Sequence, residues 1–180
     1  MPAYNNADTI GRAISSVLRQ TFDDWELYIA DDCSEDSTLG QALAYSDDPR
    51  INYFQLKKKR YNGGARNYLL YEVDYHESFY TLFLDADDEF AYAESFQHLH
   101  DLAEANGRPD MIRLAYSRKY DDPIGFWYKG QEVNMLQSII GERSIEDTTK
   151  SNCVACWTKA IRSEMVKPFP EDTLMEDRVW

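Results

Sequence analysis

Apolar residues recur along the chain in two rhythms. Across residues 8–20, Ile10, Ala13, Ile14, Val17 and Leu18 fall at i, i+3, i+4, i+7 and i+8, the stripe of an amphipathic helix. Asp8 stands where an N-cap carboxylate would satisfy the first free amides. Short runs rich in apolar and aromatic residues, at 25–30, 50–56, 79–84 and 111–116, read as strands. Helical patterns separate them, at 37–45, at 65–73 and through Phe96, Leu99, Leu102 and Ala103. Strands alternating with helices of this length predict an α/β fold built from βαβ units, a mostly parallel sheet with helices on both faces. After residue 121 the pattern loosens. An aromatic loop, Phe126-Trp127-Tyr128, precedes an expected helix at 133–140, a strand at 153–157, a helix at 158–166 and a turn at Lys167-Pro168-Phe169-Pro170.

No internal repeat and no long linker interrupts this order, so one domain is expected over residues 1–180. Composition then narrows the partners. With 19 Lys and Arg against 32 Asp and Glu, the chain carries −13 at pH 7, which argues against nucleic acid, where basic side chains neutralising phosphates dominate affinity. So acidic a chain can still hold a small phosphate ligand, provided a cation sits between them. The longest apolar run, 79–84, spans six residues, far below the roughly 20 needed to cross a bilayer, and no basic stretch followed by an apolar one opens the chain. An odd cysteine count, Cys33, Cys153 and Cys156, fits reduced thiols in a cytoplasmic setting. Cys153-Val154-Ala155-Cys156 has redox or zinc spacing, but no second pair or nearby His accompanies it, and packing beside Trp157 is the simpler reading.

Candidate chemistry concentrates where strands end, the side on which open α/β sheets bind ligands. Asp85-Ala86-Asp87-Asp88 closes the most hydrophobic run. Three carboxylates there make a hard oxygen site for Mg2+ or Mn2+, or, more plainly, a solvated acidic turn. Asp31-Asp32 closes the 25–30 strand, where one carboxylate can accept from a base or ribose while its neighbour caps a turn; the turn alone would also account for the pair. Gly63-Gly64 precedes a helix carrying Arg66, a start that favours anions or simply turns the chain. Lys57 to Arg60 reads as a solvated loop rather than a phosphate grip. Near the end, Glu176-Asp177 is either a general base or an acidic pair complementing a helix dipole. His76, His98 and His100 do not cluster with cysteines and receive no metal role.

It is the ordered set that identifies a family. Pro2-Ala3-Tyr4-Asn5, then Ser16 to Thr21, then Trp25 to Ser37, closely resemble the opening of the family 2 inverting glycosyltransferases. The resemblance continues through Asn62-Gly63-Gly64-Ala65-Arg66-Asn67, Leu84-Asp85-Ala86-Asp87-Asp88, Trp157 to Phe169 and Met175-Glu176-Asp177, so it covers essentially the whole chain. It implies a GT-A fold with a nucleotide-binding, Rossmann-like sheet. The implied activity moves a sugar from a nucleoside-diphosphate donor, UDP foremost, to a saccharide or lipid-linked acceptor with inversion, as in polysaccharide biosynthesis. By the same resemblance, the loop with Pro2, Tyr4 and Asn5, together with Asp31, would contact the nucleobase, with Arg66 nearby. Asp85 would face the ribose or the metal shell, Asp87 would ligate Mg2+ or Mn2+, Asp88 would support that shell, and Asp177 would be the base that deprotonates the acceptor. The location expected is cytoplasmic, peripheral at a membrane through missing regions.

Two other readings stand beside it. A sugar nucleotidyltransferase would carry a glycine-rich basic N-terminal loop, which Pro2-Ala3-Tyr4-Asn5 is not. A truncated, non-catalytic nucleotide-binding or interaction domain would share the fold, and by the family pattern the first strand and the acceptor-binding elements are expected to be missing from this chain. Cys33 sits where the family's Asp-Asp-Gly-Ser turn has glycine, a substitution that strains the turn if it needs positive φ.

Overall fold

The computed structural model describes residues 1–73, 78–114, 138–140, 156 and 159–169. Its elements run β1 (Pro2–Ala3), α1 (Ile10–Leu18), β2 (Leu27–Asp31), α2 (Thr38–Leu43), β3 (Ile51–Gln55), α3 (Tyr61–Glu72), β4 (Tyr80–Leu82), α4 (Ser95–Ala105), β5 (Met111–Arg113), β6 (Ser138–Ile140) and β7 (Lys159–Arg162). The α/β alternation expected from the pattern is present.

β1, β2 and β3 form a parallel sheet in that order. Ala3 pairs with Asp31, and Asp31 pairs with Gln55, so the carboxyl ends of all three strands reach one edge. Beyond it the ladder continues, with Asp32 N–H donating to the Ala3 carbonyl at 2.8 Å and Leu56 N–H to that of Asp31 at 2.9 Å.

Period-2 alternation along β2 splits the core between two faces. Leu27 and Ile29 pack with Ile10, Ala13, Ile14 and Val17 of α1, whereas Ala30 packs with Ala65 and Leu69 of α3, flanked by Tyr28 and Phe54. Helices therefore cover both faces. Each fully buried aliphatic side chain of the α1 stripe contributes about 1.5–3 kcal/mol relative to exposure, which holds this nine-residue helix in place although its N-cap is Thr9 rather than Asp8 and the Thr9 side chain makes no capping hydrogen bond.

The strands after α3 build a second sheet of order β4-β7-β5-β6, antiparallel at every pair. Three local expectations change with it. Residues 159–162 are strand β7 and Ser163–Met165 a 3-10 turn, where the apolar spacing of 158–166 suggested a helix. Residues 138–140 are strand β6 rather than the end of a helix; 133–137 lie outside the described residues. Cys156 lies in a 3-10 turn, not a strand. The physical reason is common to all three: a short apolar run fits either period, and pairing partners far away in sequence decide. The aromatic loop 126–128, Cys153, Trp157 and Asp177 also lie outside the described residues.

Candidate active site

The carboxyl edge of the parallel sheet gathers most of the residues singled out by sequence. Pro2 itself is in β1 and buried, so the loop proper starts at Tyr4. That loop is stitched to the one after β2. Asn5 N–H donates to Ser34 Oγ at 3.0 Å, Asn5 Oδ1 accepts from Glu35 N–H at 2.9 Å, Asn6 N–H donates to Thr38 Oγ1 at 2.6 Å, and Ala7 N–H donates to Asp36 Oδ2 at 3.1 Å. Asn5 takes φ 52° and Cys33 takes φ 64°, the left-handed region. Cys33 thus meets the strain expected of a non-glycine there, and its thiol donates to the Leu56 carbonyl at 3.3 Å.

Asp31 and Asp32 diverge in role. Asp31 is 3% exposed, and among the described residues neither of its carboxylate oxygens has a hydrogen-bond partner. Asp32 does cap, but not the turn that follows it. It accepts from the backbone N–H groups of Arg60 at 2.6 Å and Tyr61 at 2.7 Å, closing the first turn of α3. Burial raises the Asp32 carboxyl above the usual carboxylate range, while those two amides and nearby Lys59 pull the other way. This cap explains why α3 begins at Tyr61, ahead of the glycines, when the glycines suggested a start at 65. Lys59 lies with Nζ 3.1 Å from the centroid of the Tyr4 ring.

Asp85, Asp87 and Asp88 form the second acidic group. Each offers one oxygen, all within 4.8 Å of one another, a hard, oxygen-only donor set of the kind Mg2+ and Mn2+ take. Burial, then repulsion from Asp85 and Asp87, raises the Asp88 carboxyl above its ordinary range, with Arg12 opposing. Leu84 and Ala86 pack in one cluster with Ala3 and Ile29, which sets the acidic turn against the end of β1 and β2. The residues present therefore suit a divalent cation at this edge.

Two sets of contacts hold that turn, and sequence reasoning assigned neither. From α1 and its exit, Arg12 Nη2 donates to the Asp87 carbonyl at 2.7 Å, Ser16 Oγ accepts from Phe90 N–H at 3.0 Å, and Gln20 Nε2 and Oε1 bond Tyr92 O and Phe96 N–H, both at 2.9 Å. Arg12 and Ser16 share one stripe of α1 and Gln20, just past its end, continues the i+4 spacing, a periodic polar signal that a search limited to apolar spacing passes over. From α3, Arg66, with its side chain 1% exposed, donates Nη2 to Asp85 Oδ1 at 2.5 Å. The resemblance put Arg66 among the donor-binding residues near the nucleobase; in this structure its guanidinium is paired with Asp85 of the acidic turn.

The parallel sheet with helices on both faces and carboxylates at its carboxyl edge is an α/β architecture shared with GT-A structures. The backbone is similar to the crystal structure of Staphylococcus aureus TarS 1-349 in complex with UDP, with TM-score 0.70 at 22% identity, covering 99% of this chain and 51% of that one. It is also similar to the mannosyltransferase PcManGT of Pyrobaculum calidifontis in complex with GDP-Man and Mn2+, with TM-score 0.57 at 16% identity over 64% of this chain and 34% of that one. Escherichia coli WfgD, a UDP-Glc:alpha-D-GlcNAc-diphosphoundecaprenol beta-1,3-glucosyltransferase, is 29% identical over 175 residues, 94% of this chain and 61% of its own length. Residues 1–165 match the model of glycosyl transferase family 2, and the chain belongs to that family. It spans about three fifths of WfgD and about half of that TarS chain.

Proposed function

We propose that this chain is the catalytic domain, or its donor-binding part, of a transferase that passes a sugar from UDP to the hydroxyl of a saccharide or lipid-linked acceptor, with inversion. The observation that carries the reading is the placement at one sheet edge of Asp31, a buried carboxylate whose two oxygens have no hydrogen-bond partner among the described residues, with the acidic group of Asp85, Asp87 and Asp88. A buried polar group without a partner is a site waiting for a donor, and the ring N–H of a uracil is such a donor. Tyr4 and Asn5 flank the same edge. Support comes from relatives: the TarS structure holds UDP, PcManGT holds GDP-Man with Mn2+, and WfgD is named for a UDP-Glc donor and a diphosphoundecaprenol-linked acceptor.

In this reading Asp31 would accept from the base, and Asp87 would hold the cation with Asp85 and Asp88 beside it. A bound Mg2+ or Mn2+ would supply Lewis-acid stabilisation of the departing diphosphate. The acceptor oxygen forms its bond to the anomeric carbon on the face opposite the diphosphate as the carbon–diphosphate bond breaks, and Asp177, outside the described residues, takes the acceptor proton. No described helix is long and apolar enough to cross a membrane; a lipid-linked acceptor would be met at the membrane surface.

The test is turnover of UDP-sugars with Mn2+ in wild-type protein and two variants. Asp87→Ala should remove metal-dependent turnover. Asp177→Asn should keep donor binding and reduce transfer by at least about a hundredfold, the lower range of general-base contributions. Full activity of Asp177→Asn would refute its role, and wild-type transfer that ignores Mn2+ would refute the metal's.

A further inference from the structure

The strongest unassigned feature is a buried relay behind the acidic turn. Asn67, 2% exposed in α3, makes two hydrogen bonds to one backbone unit 102 residues later: its Nδ2 donates to the Phe169 carbonyl at 2.8 Å and its Oδ1 accepts from Phe169 N–H at 2.6 Å. The amide thereby satisfies both polar groups of a buried residue in an irregular segment, where no ladder would otherwise do so.

What the clamp holds is the Phe169 ring, 3% exposed at the level of the residue. The ring meets Phe83 edge-on, centroids 5.1 Å apart at 85°, and lies 5.3 Å from the guanidinium carbon of Arg66. Both neighbours lead to one atom group. Phe83 is two residues before Asp85, and Arg66 Nη2 is bonded to Asp85 Oδ1. Phe169 also packs with Met111, Cys156, Ile161 and Val166, so it is fixed from the side of the second sheet as well. A guanidinium this deeply buried keeps its direction only where its surroundings leave it no alternative rotamer, and the Phe169 ring supplies one wall.

From these contacts we infer that Asn67 is a positioning residue for the donor site: by clamping Phe169 it fixes Arg66 and Phe83, and through them the aim of the Asp85 carboxylate within the acidic group. The inference rests on the reading of that group as the divalent-cation and diphosphate site. It predicts that Asn67 governs the metal-dependent part of UDP binding while leaving the base contact at Asp31 intact.

Calorimetry of UDP with the 180-residue chain, with and without Mn2+, separates the two. For Asn67→Ala the Mn2+-dependent gain in UDP affinity should fall about tenfold, equivalent to about 1.4 kcal/mol, while affinity without metal changes less than about twofold. Phe169→Leu, which keeps an apolar side chain in the core but removes the ring, should show the same selective loss, and Phe169→Tyr should restore most of the gain. Equal loss with and without Mn2+ in both Asn67→Ala and Phe169→Leu would mean a merely structural role and overturn the inference, as would an unchanged gain. If Asn67→Ala does not fold, the two Phe169 variants decide alone. Absence of any Mn2+-dependent UDP binding in wild type would instead sink the reading of the acidic group itself.

Discussion

A carboxylate taken out of water without hydrogen-bond partners costs a protein stability, by about 1–3 kcal/mol or more for a charged group, and Asp31 is buried with no such partner among the described residues. The prediction is a split outcome. Asp31→Asn should leave the melting temperature unchanged or raise it, because the amide is cheaper to bury, while weakening UDP binding at least about tenfold. A variant that melts lower and binds UDP normally would mean that Asp31 serves the fold instead. Asp48 shows the opposite economy at the surface. Its carboxyl is held down to about 2, first by the side-chain hydrogen bonds of Arg50, whose guanidinium carbon also lies 3.9 Å from the Trp25 ring centroid. With the folded value below the ordinary 3.8, the contribution of this pair is complete above about pH 4 and disappears as pH falls through about 2. Carboxyl titration by NMR checks this, and Arg50→Gln should return Asp48 toward its ordinary range. At this scale the sequence was most informative where chemistry is local: Asp31, Asp85, Asp87 and Asp88 sit in short motifs at the ends of apolar runs. The roles of Asn67, Arg12 and Gln20 were not legible, because their partners lie 102, 75 and 72 residues away and no local spacing encodes such a meeting.

Among the elements, α3 carries the most of the site and departs furthest from its own propensity. Gly63 and Gly64 fall inside its first turn, both buried. A Cβ on Gly64 would lie 2.7 Å from the Arg60 Cβ, closer than side chains approach, so the first turn of α3, the one Asp32 caps, leaves no room for a side chain at 64. Gly40 in α2 has nothing within 4 Å of such a Cβ. Two like substitutions should therefore act in opposite directions. Gly40→Ala should stabilise by up to about 1 kcal/mol through helix propensity, whereas Gly64→Ala should destabilise by about 1–3 kcal/mol through overpacking. Urea unfolding measures both, and equal effects at the two positions would contradict the packing described. Element identity was readable in the first half, where the α1 stripe and the β2 alternation each face a core on their own periodicity. It failed at β6 and β7. The run Lys159-Ala160-Ile161-Arg162 has too few residues to show a period, and it becomes a strand because Tyr80 pairs with Arg162 and Met111 with Ile161, contacts invisible from within the run.

For the whole molecule, the excess of acid over base, −13, acquires a partial address at the carboxyl edge of the parallel sheet. Net charge of that sign repels a bare diphosphate, so the proposed donor site would need a cation as a matter of electrostatics. The two sheets divide the work. Tyr4, Asn5 and Asp31 stand at the carboxyl edge of the parallel one; Phe83 and Phe169, packed with Met111 and Ile161 of the antiparallel one, stand behind the acidic turn. The central claim is that these two halves form one donor site, and titration of UDP into the wild-type chain with and without Mn2+ tests it most directly. Mn2+ should tighten UDP binding at least about tenfold, Asp87→Ala should remove this gain, and Asp31→Asn should lower affinity under both conditions. UDP binding that is indifferent to Mn2+, or a metal effect that survives Asp87→Ala, would contradict it.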